Sequence, residues 1–428
     1  MKKVLSLSMI MVLLGWGLFA SAKKQPTLKE VLGKHFLIGV AMNTDQVAGI
    51  DPKAAPVVKK HFNAVVAENC MKGEVIHPEE DRYDWTEADR IVKFAEDNGL
   101  TITGHCLVWH SQPPKWMFTD KQGKTVSREV LIDRMHKHIA AVVGRYKGRI
   151  KGWDVVNETV EDNGEMRRSP YYNIIGPDYI ELAFRFAHEA DPDAELYIND
   201  YSMSKPGKRE TTCRIVRELK AKGVRIDAIG MQSHNGLDYP DLAEYEKSMD
   251  AFAACGVKIM MTELDLNMLP NPQDFGGADI SQNFQYDERM NPYRNGITKK
   301  GTKTFNRLYT DLFKLYYKHR HQISRITFWG VNDGTSWLND FPVKGRTNYP
   351  LFFDRDYNEK PIIKKVIKIL SETGNLPKEY LPHQLKGDHK GQWECHIQPN
   401  WLMMWEQHDC ELTLLFLETG THADLFGW

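Results

Sequence analysis

Two glutamates stand where hydrophobic runs stop. Glu158 closes the run in "KGWDVVNET", Lys151 to Thr159, and Glu263 follows the run that opens "VKIMMTELD" at Val257. A carboxylate at the mouth of an apolar strand costs free energy unless something is gained by it. Two of them flanking one bond could carry out glycoside hydrolysis. One would be protonated to assist the leaving oxygen, and the other ionised to attack or stabilise an oxocarbenium-like carbon. A metal site built on the same acids is the chemical competitor. A hard-metal cluster usually wants several acids together, whereas His, Asn, Gln and Trp are interleaved here, which suits a sugar. Spacing alone leaves both readings open.

The elements that must position these residues repeat along the chain. Eight short apolar runs begin at Phe36, Phe62, Thr101, Ile150, Glu195, Ile226, Val257 and Arg325. Amphipathic stretches lie between them. In "DYIELAFRFAHEADP", Ile180, Ala183, Phe184 and Ala187 share one helical face, and Asp191-Pro192 stops the helix. Alternation of strand and helix implies a parallel sheet. Eight units before about Leu370 predict an α/β fold, a (β/α)8 TIM barrel with insertions; an open doubly wound sheet is the alternative. The runs finish in Glu68-Asn69, Trp109-His110, Asn157-Glu158, Asn199-Asp200, Gln232-Ser233-His234, Glu263-Leu264-Asp265 and Asn332-Asp333. Loop starts explain a few Asn and Asp, but not Trp, His and Glu repeated at so many strand ends, where barrel enzymes place their sites.

The stretches "ENCMKGE", "GHCLVWHSQPPKW", "GWDVVNE", "DAELYINDY", "IGMQSH", "TELD", "FWGVNDGTSW" and "PLFFDRDYNEKP" occur in that order. Through them the chain, from roughly Pro26 to Lys365, resembles the endo-β-1,4-xylanases of glycoside hydrolase family 10. The resemblance implies a retaining, double-displacement hydrolase of internal β-1,4 bonds in xylan, with no metal and no cofactor. A barrel cellulase or mixed-linkage glucanase and a non-catalytic carbohydrate-binding barrel are the alternatives. It further implies Glu158 as acid/base and Glu263 as nucleophile, His234 bonded to the nucleophile, Asp265 orienting His234, and Asn157 donating to the sugar 2-OH. Glu68, Asn69, Lys72, His105, Trp109 and Gln112 would bind sugar on the glycone side. Tyr201 and Gln232 would line the cleft, and Trp329 and Trp337 would give it an aromatic floor and wall. Trp85 and Trp116, with His61, His77 and His136, read as structural or surface residues. The long segment "NPQDFGGADISQNFQYDERMNPYRNG" departs from the family pattern and is expected to overhang the cleft.

The two ends of the chain differ in character. Residues 1–22 read as a secretory signal peptide: Lys2 and Lys3, an apolar stretch from Val4 to Phe19, then Ala20-Ser21-Ala22. The main domain is expected over 23–370, exported to the periplasm or beyond, monomeric and free of the membrane once cleaved. Its cysteines are expected to be mostly buried free thiols. With 56 Lys and Arg against 57 Asp and Glu, no global field draws the chain to nucleic acid. Residues 371–428 form a separate small segment that begins as loop and ends in short strands. Through "YLPHQLKGDHKGQWECHIQPNW" and "TGTHADLFG" it resembles the C-terminal half of RelE-superfamily type II toxins, which cleave mRNA on the ribosome. That implies a partial α+β fragment in which His383, His396, His422 and Phe426 match the active-site pattern. Asn400 stands where an acid is usual. From His383 onward there are two Lys, no Arg and seven acidic residues, a balance that opposes RNA phosphates. No ribonuclease activity is expected. "KKVIKILSETGN" fits either a remnant toxin helix or the last helix of the barrel.

Overall fold

The computed structural model describes residues 26–273, 280–371, 383–385, 392–398, 401–408 and 413–420. Eight strands form the barrel: β1 (Leu37–Met42), β2 (Ala64–Ala67), β3 (Thr101–Trp109), β4 (Gly152–Asn157), β5 (Glu195–Asp200), β6 (Ala228–Met231), β7 (Lys258–Leu266) and β8 (Ile323–Phe328). Each pairs in parallel with the next. β8 pairs with β1, Leu37 opposite Arg325, and closes the ring. Closure leaves no exposed sheet edge in the barrel. One principal helix follows each strand: α1 (Ala54–His61), α2 (Thr86–Asp97), α3 (Arg128–Arg145), α4 (Tyr179–Ala190), α5 (Pro206–Ala221), α6 (Leu242–Ala253), α7 (Lys299–Lys318) and α8 (Pro361–Ser371).

The reasons are local. Strands covered on both faces are near-continuous apolar runs, and in β4 every residue from Gly152 to Asn157 is buried. The Trp153 indole lies across Gly104 of β3, where an added Cβ would sit 2.0 Å from the ring. Glycine is therefore required there. In α4, Ile180, Ala183, Phe184 and Ala187 form the buried face as the spacing predicts. Asp191 ends the helix, its carboxylate accepting hydrogen bonds from Gly148 N at 3.0 Å and Asp193 N at 3.1 Å.

α8 belongs to the barrel. Its Ile362, Ile363, Val366 and Ile367 are buried in the main core, against α7 and a short helix at Leu28–Leu32. Among its described residues, the segment beyond α8 contributes strands alone: β9 (His383–Gln384), β10 (Gln392–Gln398), β11 (Trp401–His408) and β12 (Thr413–Gly420), antiparallel in that order. His383 and His396 fall on β9 and β10. His422, Phe426, Asn400 and the leader at 1–22 lie outside the described residues. Among those described, no helix is long and apolar enough to cross a membrane. Cys70, Cys106, Cys213 and Cys255 are buried free thiols, as expected.

Candidate active site

The ends of the strands converge on one open cleft. A single cavity at the C-terminal mouth of the barrel is lined by Glu68, Asn69, Lys72, His105, Trp109, Gln112, Asn157, Glu158, Gln232, His234, Glu263, Trp329 and Trp337. The sequence had singled out every one of these. Ile280, from the long segment after β7, joins them. Among the described residues of that segment, Phe284 N donates to Pro342 O at 3.0 Å. Tyr201 and Asp265 line an adjoining cavity that shares His234 and Trp337 with the first. The predicted set therefore spans two connected halves of one groove.

Glu158 lies one residue beyond β4 with φ 57°, a left-handed conformation that costs a non-glycine residue about 1–3 kcal/mol and so marks a site the surroundings enforce. Its N–H donates to Asn199 O at 2.9 Å. One carboxyl oxygen accepts from Gln232 Nε2 at 3.2 Å, and the other is buried 4.0 Å from His110 Nε2, with the Trp109 indole also directed at the carboxyl. Burial, then the negative charge of Asp200, push this carboxyl up to about 7.

Glu263 sits in the opposite electrostatic setting. Burial would raise it too, but the His234 hydrogen bond, the charges on His105 and His234, and the Asn199 amide outweigh burial and hold it below the usual carboxylate range. His234 Nε2 is 3.1 Å from Glu263 Oε2, and its Nδ1 is 3.1 Å from Asp265 Oδ2. Burial opposes charge on this imidazole, yet the two carboxylates lift it to about 10, so it is a cation at neutral pH. Trp337 Nε1 donates to the same Asp265 oxygen at 2.8 Å. Asp265 therefore orients the histidine and the aromatic wall together.

Sequence reasoning left Asn199 out of the site. Its Nδ2 donates to Glu263 Oε1 at 2.8 Å and to Asn157 Oδ1 at 2.9 Å, while Thr262 Oγ1 donates to its Oδ1 at 2.6 Å. Asn199 thereby fixes the nucleophile candidate against the neighbouring asparagine. Gly230 leaves room for it, since a Cβ there would lie 2.4 Å from Asn199 Oδ1. The available signal was its place at a strand end in "YIND". His105 is aimed by Asp154, Nδ1 to Oδ2 at 2.9 Å. Lys72 donates to Asn69 Oδ1 at 2.8 Å and lies 4.9 Å over the Trp109 ring. Trp329 packs on Ala41 and Val66, and Trp337 packs against that cluster. Trp85 stacks on Tyr83, and Trp116 donates to His77 O, both away from the cleft. Among the described residues no group of acids, His and Cys has metal-site geometry.

A cleft holding one acid kept neutral and one kept charged can donate a proton at one side of a bond while a carboxylate faces the other. The family model of "Glycosyl hydrolase family 10" matches residues 27–369. The chain belongs to glycosyl hydrolase family 10. It is 63% identical over 350 residues to "Endo-1,4-beta-xylanase A" of Xylanibacter ruminicola, covering 82% of this chain and 95% of that one. It is 38% identical over 351 residues to "Beta-1,4-xylanase" of Dictyoglomus thermophilum, covering 82% and 92%. Among solved structures it is similar to a GH10 endoxylanase retrieved from sugarcane soil metagenome, at TM-score 0.78 and 43% identity, covering 80% of this chain and 99% of that one. A second model, "Bacterial toxin of type II toxin-antitoxin system, YafQ", matches residues 348–427. The two matches overlap at 348–369, a stretch that includes most of α8, which the structure packs into the family 10 barrel.

Proposed function

We propose that the chain hydrolyses internal β-1,4-xylosidic bonds of xylan with retention of configuration, Glu158 acting as acid/base and Glu263 as nucleophile. One observation carries this: two buried glutamates in one cleft are driven apart in acidity, Glu158 up to about 7 and Glu263 below the usual range. In the first step Glu158 protonates the leaving oxygen as Glu263 attacks the anomeric carbon. The ester that forms no longer carries the Glu263 charge. Glu158, now an anion, becomes easier to keep ionised and takes a proton from the incoming water. His234, cationic between Glu263 and Asp265, keeps the nucleophile ionised. Asn157, Gln232 and the glycone-side polar groups hold the sugar, and Trp109, Trp329 and Trp337 offer it aromatic faces.

The leader at 1–22 supports export of a monomeric domain spanning 23–370. The tail, 371–428, supplies acidic charge and strands and is proposed to have no part in xylan cleavage and no ribonuclease activity. Incubating the full chain, and a chain ending at Ser371, with xylan and with cellulose tests these readings together. Both proteins should release short xylo-oligosaccharides from xylan early in the reaction and little from cellulose. Preference for cellulose would contradict the substrate. Loss of activity in the shortened chain would contradict the domain boundary.

A further inference from the structure

Below the cleft lies a buried ion pair that the catalytic steps do not use. Asp200, at the end of β5, and Lys208, in the first turn of α5, are 1% and 0% exposed. Asp200 Oδ1 accepts from Lys208 Nζ at 2.6 Å and from Tyr201 N at 2.9 Å, and Oδ2 accepts from Val160 N at 3.0 Å. Every group aimed at these oxygens is a donor, which favours the ionised carboxylate against the burial that pushes this carboxyl above its usual range. A buried pair of this kind contributes less stability than apolar side chains of the same volume would, so its presence invites a role in the reaction.

We propose that Asp200, clamped by Lys208, is a positioning residue for the reaction, holding the turn at Glu158 and facing the proton donor with a fixed negative charge. The inference rests on Glu158 being that donor. Val160, which Asp200 grips, is two residues after Glu158. Arg167 donates from Nε to Glu158 O at 2.8 Å and from Nη2 to the Tyr201 hydroxyl at 2.7 Å. The N–H and C=O of Glu158 and the N–H of Val160 are thus all fastened, to β5 or to Arg167. That fastening keeps Glu158 in its left-handed conformation and aims its carboxyl into the cleft. The titratable and charged groups facing Glu158 are Asp200 from β5 and Tyr201 just beyond it, Glu263 from β7, Cys106 and His110 from β3 and its loop, Tyr171 and Tyr179, which share a small cavity with it, and Arg167. Of the two carboxylates, Glu263 loses its charge on forming the ester. Asp200 keeps its charge through both steps and sets the level about which Glu158 cycles.

The double variant Asp200→Asn, Lys208→Met removes both charges and keeps the shapes. Its high-pH limb of kcat/KM on xylan should move down by about half a pH unit or more. Its loss of kcat/KM on xylan should exceed that on a dinitrophenyl xylobioside, whose leaving group needs no proton, by about tenfold or more. Asp200→Asn alone leaves at most the Lys208 cation beside the site, so its limb should move down at least as far as in the double variant. Equal losses on the two substrates with an unmoved limb would overturn the proposal, and so would a limb in Asp200→Asn that stays or moves up. Failure of the underlying reading is seen separately: Glu158→Ala would then keep its high-pH limb, and the proposal falls with it.

Discussion

Glu263→Ala should lose turnover on xylan by roughly 10⁵-fold or more, the scale on which deleting a catalytic nucleophile acts. The reason lies in the geometry at the seventh strand. Glu263 receives Asn199 Nδ2 at 2.8 Å and faces His234 Nε2 at 3.1 Å, so its carboxylate is charged, oriented and buried. Alanine leaves a pocket of about one small anion on the face opposite the leaving group. Azide should enter that pocket, attack an activated aryl xyloside directly and give the xylosyl azide of inverted configuration. Polarimetry or proton NMR of the product reads this. A product of retained configuration would move the nucleophile elsewhere.

Glu158→Ala should behave differently. On xylan the loss should be about 10²–10⁴-fold, the usual worth of general acid–base assistance. On an activated aryl xyloside the first step needs no proton, so the covalent intermediate should form readily and accumulate. Azide should then replace water and give the product of retained configuration. The pH profile supplies the sign. Glu158 must be protonated for the first step, and its carboxyl is pushed up to about 7, so kcat/KM on xylan should fall as pH rises through about 7. That limb should be absent in Glu158→Ala. A limb that survives the substitution would mean another group donates the proton.

Much of this site was legible because a parallel barrel converts sequence order into position. Strand ends carry side chains to one face, and most of the residues that close the runs, Glu68, Asn69, Trp109, Asn157, Glu158, Gln232, His234 and Glu263, line the cleft there. Glu158, Glu263, His234 and Trp109 needed only that rule to be placed at the mouth, whereas Trp329 and Trp337 were expected only through the family resemblance. Lys208 shows where the rule stops. In sequence it sits among "SKPGKRE" and reads as a solvated helix start, whereas in the fold it is wholly buried against Asp200. Asn199 was hidden for a related reason. Its importance depends on the register that sets β5 beside β4, Asn199 opposite Asn157, and no local pattern encodes that pairing. The left-handed backbone at Glu158 was equally invisible, because it is imposed by Asn199, Arg167 and Asp200, residues that lie 9 to 42 positions away. The tail was set apart in the sequence because its alternating strands interrupt the helix–strand rhythm, and its described strands pair only with one another. α8 was ambiguous there because its apolar face serves a barrel helix and a toxin helix equally well.

The most direct measurement is to trap the intermediate. A 2-deoxy-2-fluoro-β-xylobioside with a dinitrophenyl leaving group should inactivate the enzyme in step with release of one equivalent of phenol. Digestion and mass spectrometry should then place the fluorosugar on the peptide "MTELDL", on Glu263. A label on Glu158, or release of an inverted sugar with no label at all, would contradict the two-step mechanism assigned to this pair.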